Sequence, residues 1–160
     1  MHNEMMYRTA ILSDAYSLAP RLREADLLEC SGHGVKPLAA LVAAVEGGIE
    51  TLTGIGREGD VLGMCGVGVQ IAPGLKSIWM LGTDALFADK AYRRYLKLNT
   101  AKRIKDWLDT YGALGNTVHS ENSVHILWLE RLGFKLYDDI PYVSKTGAIF
   151  IPFKKETPDV

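Results

Sequence analysis

Asn122 opens the run Asn-Ser-Val-His-Ile-Leu-Trp-Leu-Glu-Arg-Leu-Gly-Phe, which ends at Phe134. Its carboxamide is of the kind that accepts the free N–H groups at the start of a helix. His119, just before it, closes the apolar run Asn116-Thr117-Val118 and carries a ring that can take a proton near neutral pH. Asp84 follows Gly82-Thr83; a carboxylate there can act as a base, and Gly-Thr-Asp is equally a turn and a helix cap. Lys90, Arg93 and Arg94 are close enough to hold the oxygens of an anion together, or they form the solvated face of an amphipathic helix. The chemistry on offer is proton transfer and anion binding. Metal binding is not expected, because Cys30 and Cys65 are far apart and lack any Cys-x-x-Cys or Cys/His spacing; they read as buried, reduced thiols.

Such groups need elements to position them. A chain of 160 residues is expected to be one domain over 1–160, with 154–160 as a tail. Tyr7 to Leu12 reads as a strand, and Leu18, Leu22, Ala25 and Leu28 recur at helical spacing until Ser31-Gly32-His33-Gly34 breaks the pattern. Pro37 opens a second helix through Val45, ended by Gly47-Gly48. Thr51 to Ile55 and Val61 to Ile71 read as strands joined by a hairpin at Gly56 to Asp60, and Ser77 to Leu81 completes a meander. Gly63, Gly66 and Gly68 point to close packing or a bulge in its middle strand. The longest helix is expected from Asp89 to Tyr111, then a strand at Thr117, a helix from Asn122 to Leu132, and strands Phe134 to Asp138 and Ala148 to Phe153.

Several short stretches, in order, carry a family likeness: Arg23-Glu24-Ala25-Asp26, Trp79-Met80-Leu81-Gly82-Thr83-Asp84, the basic helix after it, and Asn122-x-x-His125-Ile126. With the element order, they make the chain resemble the GNAT N-acetyltransferases, and within them the small GNAT-like proteins of T7-type podophages. The resemblance implies an α/β (α+β) fold with a central, mostly antiparallel sheet and one parallel pair where the fourth and fifth strands splay apart. It implies transfer of an acyl group from acetyl-CoA or another acyl-CoA to an amine, with Met80, Leu81 and Gly82 along the donor, Asn122 beside its pantetheine arm, and Lys90, Arg93 and Arg94 at its phosphates. Asp84 and His119 then become candidate general bases. Arg23, Asp26 and Glu29 border the acceptor groove and could read an amine, although Arg23 and Asp26, three apart, also fit a surface ion pair of little weight.

The resemblance breaks at two places. GNAT enzymes follow the fourth strand with a glycine-rich loop whose backbone N–H groups cradle the CoA diphosphate; here the matching stretch, Leu86 to Tyr92, has no glycine and places Asp89 there. Many also carry a tyrosine that protonates the departing thiolate, where this chain has Leu129. The alternative is therefore a GNAT-derived protein that has lost catalysis and works by docking on a host or virion protein. A net charge of −1 gives no field that favours nucleic acid, and the basic helix has Asp89, Asp106 and Asp109 interleaved and no aromatic stacking motif. The absence of a secretion-type apolar segment and of any run long enough to span a bilayer leads to the expectation of a soluble protein in the infected host cytoplasm or the virion.

Overall fold

A computed structural model describes residues 5–158. Its elements are β1 (Met5–Thr9), α1 (Leu12–Leu18), a 3-10 turn (Ala19–Arg21), α2 (Glu24–Gly32), α3 (Pro37–Gly47), β2 (Glu50–Gly56), β3 (Val61–Ala72), β4 (Leu75–Gly82), α4 (Asp84–Ala88), α5 (Lys90–Tyr111), β5 (Ala113–His119), α6 (Ser123–Arg131), β6 (Lys135–Leu136), β7 (Tyr142–Val143) and β8 (Ile149–Glu156). The sheet runs β1-β2-β3-β4-β5-β8-β6, with β7 also on β8. Every pairing is antiparallel except β4 with β5.

The first helical region is two helices, not one. Pro20 has no N–H to continue the ladder of α1, so the chain tightens into a 3-10 turn and then extends through Leu22 and Arg23 before α2 starts. Asp14 anchors the first of them: its buried carboxylate accepts the Ile11 N–H at 2.9 Å, the Thr53 hydroxyl at 2.7 Å and both Arg8 nitrogens. Burial pushes this carboxyl up, but those bonds outweigh it and hold it below the usual carboxylate range.

Gly66 in β3 lies so close to the Glu50 carbonyl of β2 that a side chain would collide with backbone, and the β3–β4 register slips beyond Val67. α5 starts at Asp89, whose carboxylate caps it, and stops at Gly112 with φ +85°. The expected C-terminal tail is a correction: Lys154, Lys155 and Glu156 continue β8 and pair with Gly115, Leu114 and Ala113 of β5.

Helices cover both faces of the sheet. α1 and α3 pack on one face through Leu18, Leu41, Val61 and Met64. α5 and α6 cover the other through Ile104, Trp107, Leu108, Leu129 and Phe134. Both cysteines are buried and unpaired. Among the described residues no helix is long and apolar enough to cross a membrane.

Candidate active site at the splay of the two parallel strands

β4 and β5 pair only at Lys76 with Leu114 and Ser77 with Gly115. Next along, the Asn116 side chain takes the place of a ladder partner, donating from Nδ2 to the Ile78 carbonyl at 3.0 Å. Beyond it the strands separate. On that open edge the Gly82 N–H donates to Asp26 Oδ2 at 2.8 Å, and the Gly82 carbonyl accepts the Arg23 N–H at 2.9 Å. Backbone groups alternate between edges with period two, so Met80 directs its N–H and C=O to the same edge, with no ladder partner on β5.

A cavity of about 510 Å³ passes through the gap. On the α5/α6 side its wall includes Tyr7, Met80, Ile104, Trp128 and Leu129. On the other side it is lined by Glu29 of α2, His33 just past its end, Trp79 of β4, and the small residues of α3. It is mainly apolar, and its charged groups are few.

Glu29 is the most exposed to chemistry among them. Its Oε1 accepts the His119 N–H at 2.8 Å and Asn122 Nδ2 at 3.1 Å, which ties α2 to the end of β5 and the start of α6. Its Oε2 has no partner among the described residues and is not sealed from the cavity. Burial raises the Glu29 pKa, the two N–H donors lower it less, and nearby Asp26 raises it further. That makes Glu29 a better base than a solvated glutamate. The His33 ring stacks on Phe150 with centroids 3.9 Å apart, and burial, with His119 nearby, pushes its pKa down, so it is neutral at pH 7.

The Arg23–Asp26 pair corrects the surface reading. Both residues are buried, at 8% and 1% exposure, and they meet through two bonds of 2.9 and 3.1 Å. Arg23 also donates to His125 Nδ1 at 3.0 Å and lies over the Phe87 ring at 4.4 Å. Phe87 in turn meets Trp128 edge-on, at 6.3 Å between centroids. Arg23, Phe87 and Trp128 thereby join α4 to α6, and Trp128 is also part of the cavity wall. Burial, then the Arg23 charge, pushes His125 down to about 4, so it is a neutral acceptor with its proton on Nε2.

The start of α5 is already occupied by an anion. Asp89 Oδ1 accepts the N–H groups of Ala91 and Tyr92 at 2.9 and 3.1 Å, and Arg57 holds the carboxylate at 2.9 and 3.2 Å. Those bonds, the Arg57 one foremost, lower Asp89 to about 2. Arg93 donates to the carbonyls of Phe87 and Ala88 at 3.0 and 2.6 Å. The residues present therefore do not fit a diphosphate on the backbone N–H groups here: a carboxylate already bonds to them, and like charge repels. Lys90 and Arg94 are exposed and could meet phosphates only as side-chain cations.

No protein-family model matches the chain, and no curated protein matches it in sequence. Solved structures do. Ard1 from Thermoplasma volcanium superposes with a TM-score of 0.71 at 11% identity, covering 98% of this chain and 100% of that one. A GCN5-related N-acetyltransferase from Kribbella flavida gives 0.66 at 17% identity, covering 96% and 98%. The chain has the GNAT fold. A GNAT-superfamily phosphinothricin acetyltransferase from Sinorhizobium meliloti, in complex with AcCoA, gives 0.67 at 13% identity, covering 96% and 89%. At these identities the likeness carries the fold and not the activity.

Within this GNAT fold the candidate residues separate. Met80 lies in the cavity wall with its backbone on the open edge. Leu81 points its side chain to the α1/α3 core, and the Gly82 N–H is engaged by Asp26. Asn122 caps α6, accepting the His125 N–H at 3.4 Å, while it holds Glu29. His119 is buried, its Nδ1 accepts the Glu121 N–H at 3.1 Å, and its ring meets Phe150 edge-on. Asp84 is exposed in the first turn of α4, away from the cavity wall. Arg103, which the sequence offers only as one cation of the basic helix, lies in the cavity wall over the rings of Tyr7 and Trp107. Its Nε is buried without a partner among the described residues.

Proposed function

We propose that the protein transfers an acyl group from a thioester to an amine at the splay of β4 and β5. What supports this reading is the free Glu29 Oε2, with its raised pKa, opening on the same cavity as the unpaired Met80 edge. Glu29 takes the proton of the attacking amine, and the Met80 N–H polarises the carbonyl. The amine nitrogen attacks the carbonyl carbon, a C–N bond forms and the C–S bond breaks. The products are an amide and a free thiol. Leu129 stands where a tyrosine acid would, so the thiolate takes its proton from solvent.

The test is thiol release from acetyl-CoA in the presence of amines, with wild type and Glu29→Gln. Glu29→Gln should retain the wild-type melting point and lose on the order of 100-fold or more in kcat. Equal rates for the two proteins would remove Glu29 from the chemistry.

A second function is favoured by one observation, the Asp89 carboxylate on the α5 N–H groups. In that case the GNAT fold serves as a docking body for a host or virion protein, in keeping with the resemblance to podophage proteins. Acetyl-CoA at millimolar concentration and low salt would then leave the melting temperature unchanged. A bound donor at about 100 times its dissociation constant would instead stabilise the fold by roughly 2.7 kcal/mol.

A further inference from the structure

We infer that the acceptor is a primary amine on an uncharged apolar body, an alkylamine or arylalkylamine, and not an amino acid or another amine that also carries a carboxylate or phosphate; this rests on the acyl-transfer function proposed above. The cavity wall on the α2/α3 side carries the observation. Ala40, Ala43, Ala44 and Gly47 fall at i, i+3, i+4 and i+7 of α3, and all of them line the cavity. One helix face therefore presents nothing larger than a methyl group to a cavity that His33 and Trp79 also line.

The charges of this half of the cavity have one sign. Glu29 keeps a free oxygen, and Asp26 is neutralised by Arg23 and bonded to Gly82. His33 is neutral at pH 7. Among the described residues no lysine or arginine stands in this part of the wall; Arg103 is on the opposite face of the sheet, over Tyr7 and Trp107. Lys145 packs beside Gly34, outside the wall. An ammonium finds Glu29, whereas a carboxylate on the same molecule would be desolvated without a cation and would face Glu29. The apolar body packs on the small-residue face of α3, burying carbon against carbon.

Calorimetric titration with three compounds of one carbon body tests this: 2-phenylethylamine, L-phenylalanine and 3-phenylpropionate. 2-Phenylethylamine should bind, and L-phenylalanine at least about 10-fold more weakly, with no heat from 3-phenylpropionate. Glu29→Gln should weaken the amine by at least about 10-fold. Ala43→Leu, at an exposed wall position where a larger side chain leaves the core intact, should weaken it as well. Binding of L-phenylalanine as tight as that of the amine, or no binding of 2-phenylethylamine at millimolar concentration, overturns the inference. Thiol release from acetyl-CoA then separates the two ideas. Amine binding in the stated order without release sinks acyl transfer and leaves the ligand class standing; equal acetylation of the amino acid sinks the ligand class and leaves acyl transfer standing.

Discussion

Asp26 Oδ2 accepts the N–H of Gly82 at 2.8 Å, and so a carboxylate from α2 closes the end of β4. The same carboxylate is held by Arg23, three residues before it. This bond engages the last amide of the open strand edge and leaves Met80 as the next one facing the cavity. It also joins α2 to β4 at the edge of the cavity.

Asp26→Asn should therefore be strongly destabilising. Removing one partner leaves the Arg23 charge buried and uncompensated, at a cost of about 3–5 kcal/mol. For a chain of this size that lowers the melting temperature by roughly 6–20 °C. A melt shifted by less than about 2 °C would show that water solvates the pair.

Asp89→Ser keeps a capping oxygen at the start of α5 and removes the charge that competes with phosphate. Acetyl-CoA should bind about 2- to 5-fold more tightly to this variant at low salt, and the gain should shrink at high salt as the remaining cations are screened. Calorimetry at two salt concentrations measures it. An unchanged dissociation constant would place the phosphates away from α5.

The two arginines of α5 should behave differently. Arg94 is exposed, and Arg94→Ala should change stability by no more than about 0.5 kcal/mol. Arg93 ties down the Phe87 and Ala88 carbonyls, and Arg93→Ala should lower stability by about 1 kcal/mol. Denaturant melts of both variants compare them directly. A larger loss for Arg94→Ala would contradict the assignment.

His125 should give the fold an acid-sensitive step. Its pKa is about 4 in the folded chain against an ordinary 6.5, so above 6.5 both states are neutral and nothing changes. Between 6.5 and about 4 the unfolded chain binds a proton that the folded one refuses, and stability falls by up to about 1.4 kcal/mol per pH unit. Asp26 and Glu29, both raised, act with the opposite sign, favouring the fold as pH falls toward their own pKa values. The difference between wild type and His125→Gln isolates the histidine. It should narrow as the pH falls through this window, and a pH-independent difference would exclude the titration.

The order of strands and helices was legible because each long element carries its own period and its own stops. α5 has Asp89 at one end and Gly112 at the other, and the β2–β3 hairpin has Gly56 to Asp60 between two apolar runs. From that order the single parallel pairing followed, since a helical crossover between β4 and β5 returns the chain in the same direction. α4 has only five residues, too few to show a helical period, and the break at Pro20 was hidden within a longer apolar pattern. Arg23 and Asp26 look like any surface pair three residues apart; their burial depends on Gly82, Phe87 and His125, which arrive from distant parts of the chain. β6 and β7 have two residues each and exist because β8 offers them an edge. Glu29 was visible as an acid on a helix. That one of its oxygens is held by His119 and Asn122 while the other opens on a cavity was decided only by the packing of α2 against the splay. Local periodicity records what a residue does for its own element, whereas desolvation and charge pairing depend on neighbours that only the folded chain brings together.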